Sequence, residues 1–598
     1  MGNEAIAWGL LEAGCTLAAS YPGTPASEIL AAMAAFSRET GVKLHAEWSL
    51  NEKVAYEVAL GHSYTGLRAA VAMKQVGLNV ASDPFLRSAY LGVKGGLLVI
   101  VADDPGPHSS QTEQDSRFFA LFGKIPVLDP VSPRQAKEMV APAFDLSEKY
   151  ELPVMLRPTT RVCHARQPVA CNPPLTLARE PEFVKNPARW CATPQFLRDL
   201  HRGLNDKIAA IAQSGFYPPV LTPGDGSFPK TVIIASGVAF AHTWDWLAEL
   251  GLLGRLDLYQ VPLPYPLAPE FIEHVYIAYQ HILVLEETYP VIERQLAHRG
   301  IQGRLNRSVP TEGELTPDVI QGILGKFLDL PPLPSPPPPG GGARPTLCAG
   351  CGHRAAFYGI RETFPDGIFP SDIGCYTLGM NLGAVDTVHC MGAGISQAAG
   401  LYHAFHTAGR DIPPIVATIG DSTFFHAGIP ALINAVVQQA RFILVILDNA
   451  TTAMTGHQPV PHLGLTARGE PTQAVPLEDL IRACGVRFLE VMDPYQLPEF
   501  MALLQRAAQH TRDPQGGVAV IIARHPCLLD KAAPREQIRH RVEVTASCIA
   551  CHHCLENFEC PALKADPDTG QVRVDQLRCV GCRVCVHVCP AGAIEIRE

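Results

Sequence analysis

Short apolar runs alternate with longer stretches of helical periodicity along most of the chain. "GLLVIVAD" near Leu97, "TVIIASG" near Thr231, "HILVLEE" near His281, "PIVATIGD" near Pro414, "ILVILDN" near Ile443 and "VAVIIARH" near Val518 are bounded by turn-forming or charged residues and rich in branched side chains, which predicts buried strands. Between such runs, "SPRQAKEMVAPAFDLSEKY" and "GIPALINAVVQQA" space their apolar residues as helices do. Buried strands separated by helices predict parallel α/β sheets. No apolar run approaches the roughly 18 residues that would cross a bilayer. The N-terminus lacks a basic region followed by an apolar core, so no membrane span and a cytoplasmic location are expected.

The pattern breaks in three places. "PPLPSPPPPGGGARP" excludes helix and central strand and predicts a linker over 331–345. "QPVACNPPLTLAREPEF" and "GFYPPVLTPGDGSFP" predict an irregular connector over 166–228. After Ser547 long apolar runs cease and eight of the eighteen cysteines appear. The expected layout is an α/β domain over 1–165, the connector, a smaller α/β domain over 229–330, the linker, a second large α/β domain over 346–530 and a cysteine-rich domain over 540–598. A chain of 598 residues is too long for one core. Its net charge of −10 and lack of a Lys/Arg-rich run argue against nucleic acid as a partner. Eighteen cysteines without a secretion signal point to metal or redox chemistry rather than disulfides.

In the tail, Cys548, Cys551 and Cys554 form CxxCxxC followed by Cys560-Pro561, and Cys579, Cys582 and Cys585 repeat it before Cys589-Pro590. This is a two-cluster ferredoxin pattern, in which the cysteine before each Pro serves the other cluster. It groups Cys548, Cys551, Cys554 and Cys589 on one [4Fe–4S] and Cys579, Cys582, Cys585 and Cys560 on the other. Zinc knuckles are the competing reading, although a triple CxxCxxC suits a cubane better than a tetrahedral ion. A segment this small needs metal to hold its fold.

Elsewhere the residues leave choices open. Gly420-Asp421-Ser422 follows one strand and Asp448-Asn449 ends the next, a spacing that lets Asp421 and Asn449 converge on one Mg²⁺ carrying a diphosphate, or marks only a strand-end turn. Ser422, where glycine is commoner, is expected to crowd the turn mildly. "LCAGC" supplies Cys348 and Cys351, readable as cluster ligands, a redox dithiol or half a zinc site. Cys375 and Cys527 are either further ligands or buried thiols, as Cys15, Cys163, Cys171, Cys191, Cys390 and Cys484 are expected to be. Glu52, with Glu47 and Glu57 as rivals, lies near a helix start where a glutamate is more often solvated. Thr24 or Ser27 caps the helix after "YPGTP". His353, His426 and His457 lie near these motifs without a role to bet on.

Together "YPGTPASEI", "MKQVGLNVASDP", "HSSQTEQDSR", "EETYPVIE", "GDSTFFHAGIP" and "DNATTAMTGHQ" resemble the thiamine-diphosphate-dependent 2-oxoacid:ferredoxin oxidoreductases, and the domain order is similar to the large (alpha) subunits of the indolepyruvate-oxidising branch. The resemblance implies two thiamine-diphosphate-binding parallel-sheet domains, with a transketolase C-terminal-like domain between them and the double-cluster ferredoxin domain last. It places Gly420, Asp421, Ser422, Asn449 and the Thr451 carbonyl at the cofactor, with the oxygens of Asp421, Asn449 and Thr451 as the donors to Mg²⁺. It makes Glu52 the glutamate against the aminopyrimidine and puts the Thr24 hydroxyl near the 2-oxoacid carboxylate. Cys348, Cys351, Cys375 and Cys527 would hold a third [4Fe–4S] close to the cofactor. The implied reaction turns an aryl pyruvate, such as indolepyruvate or phenylpyruvate, and coenzyme A into acyl-CoA and CO₂ while ferredoxin takes the electrons. A small beta subunit in an alpha2beta2 assembly is the implied partner. Two other classes remain open on residues alone: a non-oxidative thiamine-dependent decarboxylase, and an electron-transfer subunit with a degenerate thiamine site.

Overall fold

A computed structural model describes residues 1–331, 344–530 and 541–597, so the expected linker lies almost wholly outside the described residues. The chain divides into two compact units, Met1–Pro339 and Gly340–Glu598. No helix of the described residues is long and apolar enough to cross a membrane.

The first unit opens with a six-stranded, all-parallel sheet of β1 (Leu17–Ser20), β2 (His45–Trp48), β3 (Ala69–Lys74), β4 (Leu97–Ala102), β5 (Val127–Leu128) and β6 (Val154–Leu156), in the order β2-β1-β3-β4-β6-β5. β3 and β4 are buried at every position, as strands in the middle of a parallel sheet must be. A second sheet of β7 (Val220–Thr222), β8 (Thr231–Ala235), β9 (Asp257–Gln260), β10 (His281–Leu285) and β11 (Ile301–Gln302) runs in the order β11-β10-β8-β9-β7. Its strands are parallel except the edge strand β7.

The connector expected to be irregular over 166–228 is so only in its first part. A 20-residue helix, Pro194–Gln213, follows, and β7 then joins the second sheet. The helix buries only Leu204 and Ile211, yet Leu197, Leu200, Leu204, Ile208 and Ile211 recur at helical spacing, so the signal was present in the sequence and the flanking Pro- and Gly-rich stretches masked it. Pro194, in its first turn, costs no hydrogen bond and starts the helix.

Between the two sheets of this unit lies a buried ionic network drawn from strand ends. Arg117 Nη2 donates to Asp115 at 2.6 Å, and Arg157 Nε to Asp103 at 2.7 Å. Ser236 Oγ donates to Asp129 at 3.0 Å, and Arg117 Nη1 lies 3.3 Å from Glu286. Asp115 also accepts the Thr288 and Tyr289 backbone N–H groups, and Glu286 those of Val291, Ile292 and Glu293. Removing so many charges from water is tolerable only because each carboxylate has several donors.

The second unit is built on a four-stranded parallel sheet, ordered β14-β15-β17-β16. These are β14 (Val416–Gly420), β15 (Ile443–Asp448), β16 (Phe488–Met492) and β17 (Ala519–Arg524); the short parallel pair β12 (Pro370–Ser371) and β13 (Thr387–Val388) precedes them. Within the same unit the tail forms two small antiparallel pairs: β18 (Arg541–Val544) with β21 (Ile594–Arg597), and β19 (Leu563–Ala565) with β20 (Val572–Val574). Its small core of Val542, Phe558, Leu563, Val584 and Ile594 packs with Tyr358 and Leu497 of the sheet domain.

Candidate active site

In the second unit the parallel register pairs Gly420 with Leu447, so Asp421 and Asp448 leave adjacent strand ends together. Gly420 is needed for space: a Cβ there would meet the Tyr376 ring at 2.5 Å. The chain continues from Asp421 as helix through one π-turn over Phe424–Gly428 to Val437. Asp421, Asp448, Asn449 and Thr451 are all buried. Asn449 Oδ1 accepts the Thr451 N–H at 3.3 Å, and Asp448 Oδ1 accepts that of Ala450 at 3.1 Å.

Two residues absent from the sequence-derived set stand beside them. His462, on the short turn Pro461–Leu463, places Nε2 3.2 Å from Asp448 Oδ1 and 3.8 Å from Asp421 Oδ2. Asp421, Asp448 and His462 thus offer three ligand atoms within 4.8 Å of one another. Burial, followed by the Asp448 charge, pushes Asp421 up to about 7. Burial opposes ionisation of Asp448 too, but His462 and the Arg524 guanidinium, 2.6 Å away, hold it at about 2. Burial also pushes His353 down to about 4, against the pull of both carboxylates. Among the described residues, Asp421 Oδ2 and both His353 nitrogens have no hydrogen-bond partner. A buried pair of carboxylates left short of positive charge fits a divalent cation.

The sheet register carries this corner to the cysteines. β15 and β17 pair Asp448 with Arg524, the His525 N–H donates to the Asp448 carbonyl at 2.9 Å, and the Cys527 N–H donates to the Asn449 carbonyl at 3.1 Å. Cys351 closes onto Cys348 through an N–H···O bond of 3.2 Å and precedes the helix Gly352–Thr363. Burial, then the charges of Cys351, Cys527 and Cys348, pushes the Cys375 thiol up to about 12, so these cysteines lie within electrostatic reach of Cys375. In the tail, Cys560, Cys579, Cys582 and Cys585 line one cavity that also touches Ala349 and Gly350 of the CxxC loop. Cys548, Cys551, Cys554 and Cys589 line another. Thiols gathered in fours fit iron–sulfur clusters, whose iron would take them as thiolates. Of the cysteines expected to be buried, Cys171, Cys191 and Cys390 are exposed, because the segments that carry them run over the surface.

In the first unit, Asn51 caps the helix Glu52–Ser63, accepting the Val54 N–H. Glu52 is its first residue and is 4 % exposed, packed so closely on Gly77 that a Cβ there would lie 2.7 Å from Oε1. Its rivals are solvated: Glu57 is exposed and paired with Lys53, and Glu47 bonds His45 and Ser49 near the surface. Lys74 is buried nearby, its ammonium donating to the Ser109 carbonyl at 3.1 Å. Thr24 is half-buried in the turn before the helix Ser27–Thr40.

Three family models match the chain. They are the thiamine-diphosphate-binding domain of pyruvate flavodoxin/ferredoxin oxidoreductases over residues 8–197, the C-terminal binding domain of thiamine pyrophosphate enzymes over 372–523, and a 4Fe-4S binding domain over 572–595. With the parallel sheets and the gathered cysteines, these define a thiamine-diphosphate-dependent, iron–sulfur 2-oxoacid oxidoreductase. The chain is 40% identical to indolepyruvate oxidoreductase subunit IorA of Archaeoglobus fulgidus, covering 100% of this chain and 97% of that one, and 39% identical to the same subunit of Methanothermobacter thermautotrophicus, covering 100% and 96%. It belongs to the family of indolepyruvate ferredoxin oxidoreductase alpha subunits. A shorter likeness, 30% identical over 28% of this chain and 46% of the relative, links it to 2-oxoglutarate synthase subunit KorA of Methanothermobacter thermautotrophicus.

Proposed function

We propose that the chain oxidises aryl pyruvates such as indolepyruvate and phenylpyruvate to acyl-CoA and CO₂. The balanced reaction consumes coenzyme A and two oxidised ferredoxins per 2-oxoacid, because a [4Fe–4S] cluster passes electrons one at a time. In this reading a small beta subunit completes an alpha2beta2 assembly, and Asp421, Asn449 and the Thr451 carbonyl hold Mg²⁺. Asp448, kept ionised by His462 and Arg524, adds negative charge beside it. Thiamine diphosphate, when bound, supplies the nucleophilic carbon and the electron sink that decarboxylation requires. Glu52 holds the proton at the pyrimidine ring nitrogen from a water-poor position, and the Thr24 hydroxyl orients the substrate carboxylate. Cys348, Cys351, Cys375 and Cys527 hold the proximal cluster and the two tail groups hold the others.

The observation that carries the reading is the shared corner of the second unit. Two backbone hydrogen bonds, from His525 to Asp448 and from Cys527 to Asn449, tie a cluster cysteine to the proposed cofactor motif. Such an arrangement serves an oxidation and would be superfluous to a decarboxylase that releases aldehyde.

The test is to purify the chain with its small subunit without oxygen, count iron and sulfide, and follow ferredoxin reduction with phenylpyruvate. We expect about twelve irons per chain, falling by about four in Cys351→Ala, and acyl-CoA formed in step with reduced ferredoxin. About eight irons in both proteins, with aldehyde and no ferredoxin reduction, would overturn it.

A further inference from the structure

Arg354 stands at position three of the helix Gly352–Thr363 and is 1 % exposed. That is the wrong end of a helix for a cation, since the dipole there favours negative charge, and the first turn holds no acidic residue to compensate. Among the described residues no carboxylate lies within ion-pair distance of it. What it meets instead is backbone. Nη2 donates to the Leu347 carbonyl, and Nη1 donates to the Phe558 and Glu559 carbonyls at 2.6 and 2.7 Å. The guanidinium also sits 5.8 Å from the centre of the Phe558 ring, and its Nε has no partner among the described residues.

The carbonyls locate the function. Leu347 immediately precedes Cys348, and Glu559 immediately precedes Cys560. One guanidinium therefore grips the peptide entering a cysteine of the proximal group and the peptide entering a cysteine of the inner tail group. Burial, the largest influence on it, opposes its charge, and the groups close enough to favour that charge are Cys560, Cys351, the Glu559 carboxylate, which itself pairs with Arg344, and Cys348. A buried cation whose nearest carboxylate is engaged by another arginine is costly unless further anions stand close. A [4Fe–4S] cluster on four thiolates is net negative and becomes more so on reduction, and cluster potentials respond to nearby charge.

We propose that Arg354 is a positioning and tuning residue shared by two clusters: it fixes the tail's inner cluster site against the proximal one and, by its charge, raises the reduction potential of both. The carbonyls that Arg354 grips precede no cysteine of the outer tail group, Cys548, Cys551, Cys554 and Cys589, which is therefore the internal control. The proposal rests on the three-cluster reading above.

The experiment is an anaerobic redox titration followed by electron paramagnetic resonance on the full chain with its small subunit, in wild type, Arg354→Gln and Arg354→Lys, with Cys351→Ala to assign the proximal signal. The expected result is a downward shift of two midpoints in the Gln protein, the outer midpoint moving least, and near-wild-type values in the Lys protein. Unmoved midpoints in a Gln protein of wild-type iron content would overturn the proposal. Equal loss of iron in the Gln and Lys proteins would also overturn it, reducing Arg354 to a packing clamp. A wild type with about eight irons would instead remove the three-cluster reading, and with it the shared role.

Discussion

Each unit buries a set of charges at the carboxyl ends of parallel strands, and the two sets differ in how completely they are paired. In the first unit Arg117 and Arg157 meet Asp103, Asp115, Asp129 and Glu286, and backbone N–H groups or the Ser236 hydroxyl serve the carboxylates further, although Arg157 Nη2 has no hydrogen-bond partner among the described residues. In the second, Asp421 keeps an oxygen without a hydrogen-bond partner among the described residues, His353 keeps two such nitrogens, and His462 stands between two carboxylates. Strand ends of open parallel sheets are where ligands bind. The first unit has used that position to join two sheets, the second has left it short of positive charge. Saturation of the carboxylates, more than burial or location, separates a structural network from a binding site.

The largest expected effect breaks the saturated side. Arg117→Met leaves several buried carboxylates without their cation, a change that costs about 3–5 kcal/mol. All five tryptophans, at 8, 48, 190, 244 and 246, lie in the first unit, so tryptophan fluorescence in urea reads that unit alone. The fluorescence transition should move to lower urea while the cluster absorbance transition of the second unit stays in place. Movement of both, or of neither, would contradict a network confined to the first unit.

Asp421→Asn tests the unsaturated side and should act in the opposite direction on the fold. Replacing a buried, poorly partnered carboxyl by an amide leaves stability unchanged or raises it by up to about 1 kcal/mol. Retention of thiamine diphosphate and Mg²⁺ should fall at least about 100-fold, since even groups behind the ligands are worth 10 to 100-fold. Equilibrium dialysis with the labelled cofactor and a thermal melt on the same preparation decide it. A clear loss of stability with cofactor affinity intact would make Asp421 a structural residue like Arg117.

Much of this contrast was legible in the chain because apolar runs end where the chemistry begins. "PIVATIGD" and "ILVILDN" are strands whose last residues deliver Asp421 and Asp448, and the two groups read from the repeated cysteine spacing line separate cavities. His462 was illegible, since a turn between Pro461 and Gly464 carries no period and only the return of the loop brings it to Asp448. Arg354 was hidden for a related reason: its partners are carbonyls, which every sequence has everywhere. The connector helix was legible, with Leu197, Leu200, Leu204, Ile208 and Ile211 at helical spacing, and was hidden only by the irregular stretches on either side.

The smallest effect concerns Ser422, where the two readings give opposite signs. As a sequence feature it looked like a crowded substitute for glycine, which predicts that Ser422→Gly relieves strain. In the fold Ser422 lies in the helical turn Asp421–Thr423, a conformation any residue adopts, and its hydroxyl accepts from Thr452 Oγ1 at 3.0 Å. That bond ties the strand end bearing Asp421 to the loop bearing Thr451. Glycine would lose it, at about 0.5–1.5 kcal/mol, and would add a helix penalty of up to about 1 kcal/mol relative to alanine. Ser422→Gly should therefore melt earlier than Ser422→Ala, and both earlier than wild type. Saturating cofactor and Mg²⁺ should recover part of the difference, because a ligand that binds only the folded state stabilises it by mass action. A glycine variant more stable than wild type would mean that crowding, rather than the Thr452 bond, governs this turn.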